Sequence, residues 1–248
     1  MSAAQASLPS TGVSPASAGR IADASPPEIT AWAIERFGTH RLAVTTGFGM
    51  EGCALIDMVA RTGHLLRITY LDTHFLFSET LRLRDRLVRR YPTLTFVNEG
   101  TPITPAEQEA VHGPELWARD PDTCCTIRKV DPMARVMADH DVWITAIRRG
   151  QTDGRASIRV VEWDWHFDVL KISPMAAWSR ADVWAYIRAN DVPYNELHDR
   201  GYPSLGCTHC TVAVAGSLPT TYSRAGRWAG RDKTECGLHL PSTGEAAS

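Results

Sequence analysis

Residues 42–72, LAVTTGFGMEGCALIDMVARTGHLLRITYLD, decide the fold. RLAVTT is an apolar run with the length of a buried strand, GFGMEG a glycine-rich turn, CALIDMVART a helical stretch and LLRITYLD a second strand. A strand, a helix and a strand in that order bring the two strands together in parallel. Upstream, PPEITAWAIERFG places Ile29, Trp32, Ala33 and Phe37 on one helical face, closed by Gly38. Downstream, Leu76, Thr80, Leu83 and Leu87 form another helical stripe, TLTFVN a third strand, and VWITAI a fourth that follows a helix opening near Cys124. The pattern predicts an α/β fold with an open, mostly parallel sheet flanked by helices. Ligands of such sheets sit beyond the carboxyl ends of the strands, so the turns GFGMEG, LDTH and AIRRGQ are expected to face one cleft. Ser179 and Asp182 spell a capping box, with Trp178 and Val183 as its hydrophobic staple, and start a further helix through VWAYIRA.

The chain has 248 residues, 44% apolar and 22% charged, the composition of a globular protein rather than a disordered or fibrous one. Twenty-six Lys and Arg against 28 Asp and Glu leave a net charge of -2, so no global positive field points to nucleic acid, and an anionic ligand has to be held by local clusters. No apolar run reaches the roughly 18 residues that cross a bilayer. Residues 1–25, rich in Ala, Ser and Pro with one Arg, read as a disordered tail without a secretory signal; a transit peptide finds only that single Arg in support, and the cytoplasm is the expected location. Residues 26–215 read as the main domain and 216–248 as a mobile C-terminal segment.

Six cysteines fall into three groups. Cys124 and Cys125 are adjacent and Cys207 and Cys210 form a C-x-x-C; four thiolates suit zinc or an iron-sulfur cluster, and adjacency favours the cluster, whose separate irons accept neighbouring residues, with a metal-free reading still open. Asp122 or Thr123 is expected to cap the helix there, and Arg128 and Lys129 to stabilise the thiolates. Cys236, in KTECGLH, has Lys233 and His239 close enough to favour a thiolate, which makes it a candidate nucleophile, although a lone cysteine near a terminus is often incidental. Cys53 reads as a small buried hydrophobe. The turn GFGMEG opens a helix and so offers an anion site, but it lacks the Lys-Ser/Thr ending of a Walker loop and in isolation is equally a tight turn. Basic clusters at Arg128/Lys129, Arg148/Arg149/Arg155 and Arg224/Arg227/Arg231 suit a ligand with several anionic groups. The arginines at 82, 84, 86, 89 and 90 read as a solvated helix face, and His64, His74, His166 and His198 show no ligand spacing.

With C-C-x-I-R-K at 124–129, G-C-x-x-C at 206–210 and E-C-G-L-H at 235–239 in that order, the chain resembles the assimilatory sulfonucleotide reductases, in their iron-sulfur-containing adenylylsulfate (APS) reductase branch. YLDT at 70–73, ITAIRRGQ at 144–151, PMAAW at 174–178 and RAGRW at 224–228 extend the resemblance from about residue 28 to 240. Ala146 and His74 stand where that family commonly has glycine, and Glu51-Gly52 where it usually has an acidic pair. The resemblance implies a single domain of the adenine nucleotide α-hydrolase type. By motif, Gly47, Phe48, Gly49, Met50 and Glu51, through Gly52, would hold the phosphosulfate side and Leu71, Asp72 and Thr73 the adenosine side. Lys129, Arg149, Arg155, Arg224 and Arg227 would hold the anionic groups, Cys124, Cys125, Cys207 and Cys210 a 4Fe-4S cluster, and Cys236 would be the nucleophile. The implied reaction reduces APS to sulfite and AMP with thioredoxin or glutaredoxin, through an S-sulfocysteine. Relatives without the four cysteines usually take 3'-phosphoadenylylsulfate (PAPS), and some cluster-bearing relatives accept both, so the alternatives are PAPS or dual APS/PAPS specificity. A nucleotide-activating ligase of the same fold would need an S-G-G-x-D-S loop that this chain lacks. A homo-oligomer is left open.

Overall fold

The structure, a computed structural model, describes residues 13–216, 224 and 226–239. Its centre is a six-stranded sheet of order β3-β2-β1-β4-β6-β5, built from β1 (Leu42–Thr46), β2 (Leu66–Tyr70), β3 (Leu94–Asn98), β4 (Val142–Ile144), β5 (Val161–Asp164) and β6 (Val169–Ile172). All neighbours are parallel except β5, an antiparallel edge strand on β6. Alternation along the strands sorts side chains onto two covered faces. Leu42, Val44, Val142, Ile144, Leu170 and Ile172 join the larger core with α2 (Pro26–Phe37), α3 (Met50–Arg61), α9 (Arg180–Ala189) and the buried Leu83 and Leu87 of α4 (Ser78–Arg90). Ala43, Trp143 and Val169 point the other way, against Met133, Val136 and Met137 of α8 (Asp131–Ala138).

Local rules account for the helix starts. Glu28 reaches back to Ser25 N at 2.8 Å at the start of α2, and Ser179 and Asp182 complete the capping box of α9. Buried Asp57 of α3 ties three elements, accepting from Tyr186 Oη of α9 at 2.7 Å, Tyr91 Oη at 3.0 Å and Arg61 Nε at 2.6 Å.

Four expectations change. Within the segment read as a disordered tail, Pro15–Ala22 forms α1, capped by Ser14, and Val13 is buried in the larger core; residues 1–12 lie outside the described residues. The β5–β6 hairpin was not read from the sequence. Leu76 does not belong to the α4 stripe; it forms an isolated bridge with Cys207. Asp120, rather than Asp122 or Thr123, caps the short α7 (Pro121–Cys125), its carboxylate accepting from Thr123 N at 3.0 Å, because it is the residue with non-helical backbone angles. Among the described residues no helix is long and apolar enough to cross a membrane.

Candidate active site

From β1 the chain winds through β2 to β3 on one side, then returns to lay β4 on the other. The carboxyl ends of β1 and β4 are therefore the point where the winding reverses, and a cleft opens there. The turns after β1, β2 and β4 meet in it, contributing Gly47, Gly49, Glu51 and Gly52, then Leu71 and Thr73, then Ala146 and Gln151. Gly49 is the N-cap of α3 and supplies no side-chain cap, so the first-turn N–H groups of α3 are left for a ligand. Phe48 takes a left-handed φ of 56° and sinks its ring against Tyr70 (5.2 Å) and Phe96 (6.5 Å). Phe48 and Met50, expected to hold the ligand, are thus core side chains and are absent from the cleft lining. A Cβ on Gly52 would lie 2.5 Å from Thr46 Oγ1, so only glycine lets α3 start this close to β1.

Glu51 is anchored from behind. Arg148, 1% exposed, donates to its Oε1 from Nη2 at 2.7 Å and Nε at 3.0 Å. Burial works against the Glu51 charge, but Arg148 outweighs it and holds the carboxyl below the usual range. Arg148, expected only as one member of a basic cluster for an anionic ligand, is instead the buried partner of Glu51 and is absent from the cleft lining. Arg149, predicted to bind the ligand, is exposed and absent from the cleft wall; its N–H is pinned to Ala176 O and its Nε to Ile158 O at 2.9 Å. Asp72 also lies outside the cleft lining, shaping the turn by accepting from His74 N at 2.8 Å. His74 Nε2 lies 3.2 Å from Thr101 O, so this departure from the family pattern is accommodated away from the cleft.

Cys124, Cys125, Cys207 and Cys210 line one small cavity with Phe75, Trp117, Arg128, Lys129 and His209. A π-helical turn, Thr126–Val130, follows the cysteine pair and carries Arg128 and Lys129. Among the described residues no three His, Cys, Asp or Glu side chains converge on a single-ion site. The donor set nevertheless fits a tetrathiolate group. Burial pushes the Cys125 thiol up to about 11 and raises Cys124 and Cys210 as well, so these sulfurs become thiolates only against a strong positive partner. Around them stand donors with unused capacity: Arg128 Nη2 and Trp228 Nε1 are buried without a partner among the described residues. Arg128 is fixed by Gln108 Oε1 (2.8 Å) and Thr73 O (3.0 Å), and Thr73 Oγ1 lies 3.3 Å from Cys207 Sγ. Trp117 and His209 stack at 4.0 Å beside the cavity.

Lys129 and Cys207 line both this cavity and the main cleft. The chain after Arg224 brings Cys236 to the same wall without a helix or strand. Leu238 packs against the second core and His239 stacks on Trp143 at 4.9 Å. Gly237 turns the chain at φ 90°, where a Cβ would meet Val130 Cγ2 at 3.1 Å. Burial alone would raise the Cys236 thiol; Lys129, an N–H from Leu238, Arg224 and Arg227 outweigh it and hold the thiol below its ordinary value. Arg227 stays in place through Leu205 O (2.8 Å) and the Trp228 ring (4.5 Å). Arg155 and Arg224 both reach Glu235, at 2.8 and 3.3 Å. Of the predicted cations, Lys129, Arg155, Arg224 and Arg227 all line the cleft. Gln151, Trp143 and the buried His198 complete the lining unforeseen, and Glu235 stands behind it on Arg155, 80 residues away in sequence.

Residues 41–213 match the phosphoadenosine phosphosulfate reductase domain family. The chain is 41% identical to the adenosine 5'-phosphosulfate reductase of Shouchella clausii, over 88% of this chain and 89% of that one. It is 43% identical to the phosphoadenosine 5'-phosphosulfate reductase of Gloeobacter violaceus, over 88% and 89%. The crystal structure of a phosphoadenylyl-sulfate reductase from Candida auris, a phosphate complex, superposes with a TM-score of 0.68 at 30% identity, covering 80% of this chain and 98% of that one. With the sheet order, the strand-end cleft and these matches in agreement, the chain belongs to the phosphoadenosine phosphosulfate reductase family.

Proposed function

We propose that the protein reduces adenylylsulfate to sulfite and AMP for sulfate assimilation, with Cys236 as nucleophile and a thioredoxin- or glutaredoxin-type dithiol as reductant, in the cytoplasm. The observation that carries this reading is the position of Cys236. It lies in the wall of the nucleotide-sized cleft, among Lys129, Arg224 and Arg227, facing the glycine turn that opens α3. The adenosine side would lie along Leu71 and Thr73, and the phosphosulfate between the start of α3 and the cations.

In the first step the Cys236 thiolate attacks the sulfate sulfur. An S–S bond forms, the S–O bond breaks, and its electron pair leaves on the phosphate oxygen of AMP. Lys129, Arg155, Arg224 and Arg227 offset the charge on the departing phosphate and the transferring sulfonate. In the second step a thiolate of the reductant attacks Cys236 Sγ and expels sulfite, and its second thiol resolves the mixed disulfide, so the dithiol supplies both electrons. Access for that dithiol requires the segment carrying Cys236 to leave the cleft, which fits a stretch, 232–239, that belongs to no helix or strand.

Cys124, Cys125, Cys207 and Cys210 would hold a 4Fe-4S cluster, which would supply fixed charge and a structural tie between α7 and the 207–210 loop rather than electrons. Lys129, lining both cavities, passes that environment to the substrate side. Burial works against its charge, yet the sulfurs of Cys207, Cys236 and Cys125 hold the ammonium above its ordinary value. The complete cysteine quartet and the Shouchella clausii relative support APS, while the Gloeobacter violaceus relative makes PAPS the alternative. Thioredoxin-dependent sulfite release by anaerobically purified protein, with APS and PAPS in parallel, tests the reading. Brown protein that turns over APS far faster than PAPS is expected; a preference for PAPS would overturn the substrate assignment, and inactivity on both after cluster reconstitution would overturn the function.

A further inference from the structure

Glu235 precedes the cysteine, and the mechanism above gives it no role. Its carboxylate nevertheless has three partners, Thr152 and Arg155 on the segment after β4 and Arg224 earlier in the C-terminal segment: Thr152 Oγ1 donates to Oε1 at 3.0 Å, and Arg155 Nη2 and Arg224 Nη1 lie 2.8 and 3.3 Å from Oε2. The side chain is 18% exposed and that of Arg155 6%, so this is a shielded pair rather than a surface one. Two features separate it from simple charge balance. First, Arg155 Nε and Arg224 Nε are buried and lack any partner among the described residues, so each guanidinium holds Glu235 and still has a donor unused. An anionic ligand could take those donors without displacing the carboxylate. Second, the pair ends a continuous series of contacts. Arg155 Nη1 donates to Gln151 Oε1, the same oxygen accepts from Arg148 N at 3.1 Å, and Arg148 holds Glu51 at the start of α3. The turn that receives the nucleotide and the residue beside the nucleophile are thus anchored to one short segment, 148–155.

We propose that Glu235 is a positioning residue that clamps the cysteine-bearing tail shut over the bound anion, by engaging Thr152 and Arg155 outside the tail, with Arg224 as a third partner within it, through the faces of the two guanidiniums that the substrate leaves free. The proposal rests on the assignment of Cys236 as nucleophile. Docking the tail fixes Cys236 in the attack geometry, and breaking the clamp frees it for the reductant. The tail has other contacts as well: Lys233 Nζ donates to Asp122 of α7, whereas Leu238 in the second core and His239 on Trp143 are apolar or stacked.

Glu235→Gln and Thr152→Val separate the clamp from the chemistry. Each is prepared as the full chain with its visible absorbance and circular dichroism matched to the parent. Two quantities are read: steady-state kcat and KM for the sulfonucleotide, and the rate at which iodoacetamide alkylates Cys236, located by peptide mass, with and without AMP. Glu235→Gln should lower kcat by about 10- to 100-fold, the effect of losing one or two charge-assisted hydrogen bonds, with KM changed less than about threefold because the arginines remain. Alkylation of Cys236 should quicken at least about fivefold, with Thr152→Val changing both quantities in the same direction by less. Unchanged alkylation in Glu235→Gln, or a rise in KM with kcat preserved, would overturn the clamp. A Cys236→Ser protein that still releases sulfite would instead overturn the nucleophile assignment, and the alkylation measurement is independent of that outcome.

Discussion

Replacing Arg148 by Met strands a carboxylate. Arg148 is 1% exposed and Glu51 13%, and their two contacts of 2.7 and 3.0 Å converge on one oxygen. Removing one partner of a buried ion pair costs about 3–5 kcal/mol, because the other charge stays buried and unpaired. Glu51 keeps a little solvent and can take up a proton, which places the cost near the lower end, about 3 kcal/mol. For a chain of this size each kcal/mol lowers Tm by roughly 2–4 °C, so Arg148→Met should melt about 6–12 °C below the parent. The pH dependence has a definite sign. In the parent the Glu51 carboxyl is held below the ordinary value, so its contribution is present above that value and fades as pH falls through the depressed one. Without Arg148 the burial effect remains and raises the carboxyl, so the variant loses stability as pH rises, and the gap between variant and parent should be wider at pH 8 than at pH 5. Calorimetric melts at both pH values, with Glu51→Gln/Arg148→Met as the double variant, measure this. The double variant should recover much of the loss. A loss under about 1 kcal/mol, a gap independent of pH, or a double variant no better than the single would refute the buried buttress.

Asp57→Ala removes the acceptor shared by Tyr91, Tyr186 and Arg61, and should cost about 2–4 kcal/mol in urea denaturation with KM unchanged; a midpoint within error of the parent would show that those bonds are replaced by water. Alkylation of Cys236 should titrate below the roughly 8.5 of a free thiol, and Lys129→Met should move the midpoint upward, since a lost cation disfavours the thiolate; an unshifted midpoint would contradict the electrostatic account. Gly237→Ala forces a side chain into the left-handed turn at φ 90° and toward Val130, and should loosen the tail, quickening Cys236 alkylation several-fold with Tm nearly unchanged. Equal alkylation rates would mean that the tail does not need that turn.

The β-α-β unit at 42–72 was legible because its apolar runs, glycine turn and helix follow rules that act within a few residues, and the same holds for the capping box of α9. The β5–β6 hairpin was hidden by its own chemistry. Glu162, Asp164 and Lys171 share one face there and are buried as an ion-paired group, with Lys171 paired to Asp164 at 2.9 Å and 5.1 Å from the Trp143 ring, so their charges do not mark a solvent side. Arg148 and Arg149 carry the same charge side by side, and which one turns inward is set by distant partners, Glu51 and Trp178 O for Arg148 and Ala176 O and Ile158 O for Arg149. The cysteine motifs announced four clustered sulfurs and a separate thiol. What they did not carry was Glu235 reaching Arg155 across 80 residues, a contact that exists only once the tail is docked. Composition misled at α1, where Ala, Ser and Pro read as disorder although Ser14 caps a helix and Val13 anchors it.

In the proposed reaction Cys236 takes the sulfonate from the nucleotide. Anaerobic protein incubated with APS and no reductant should gain the mass of one SO3 group, located on the peptide carrying Cys236, and adding a dithiol should remove that mass as sulfite. An adduct on another cysteine, or AMP release with no adduct at all, would contradict the account.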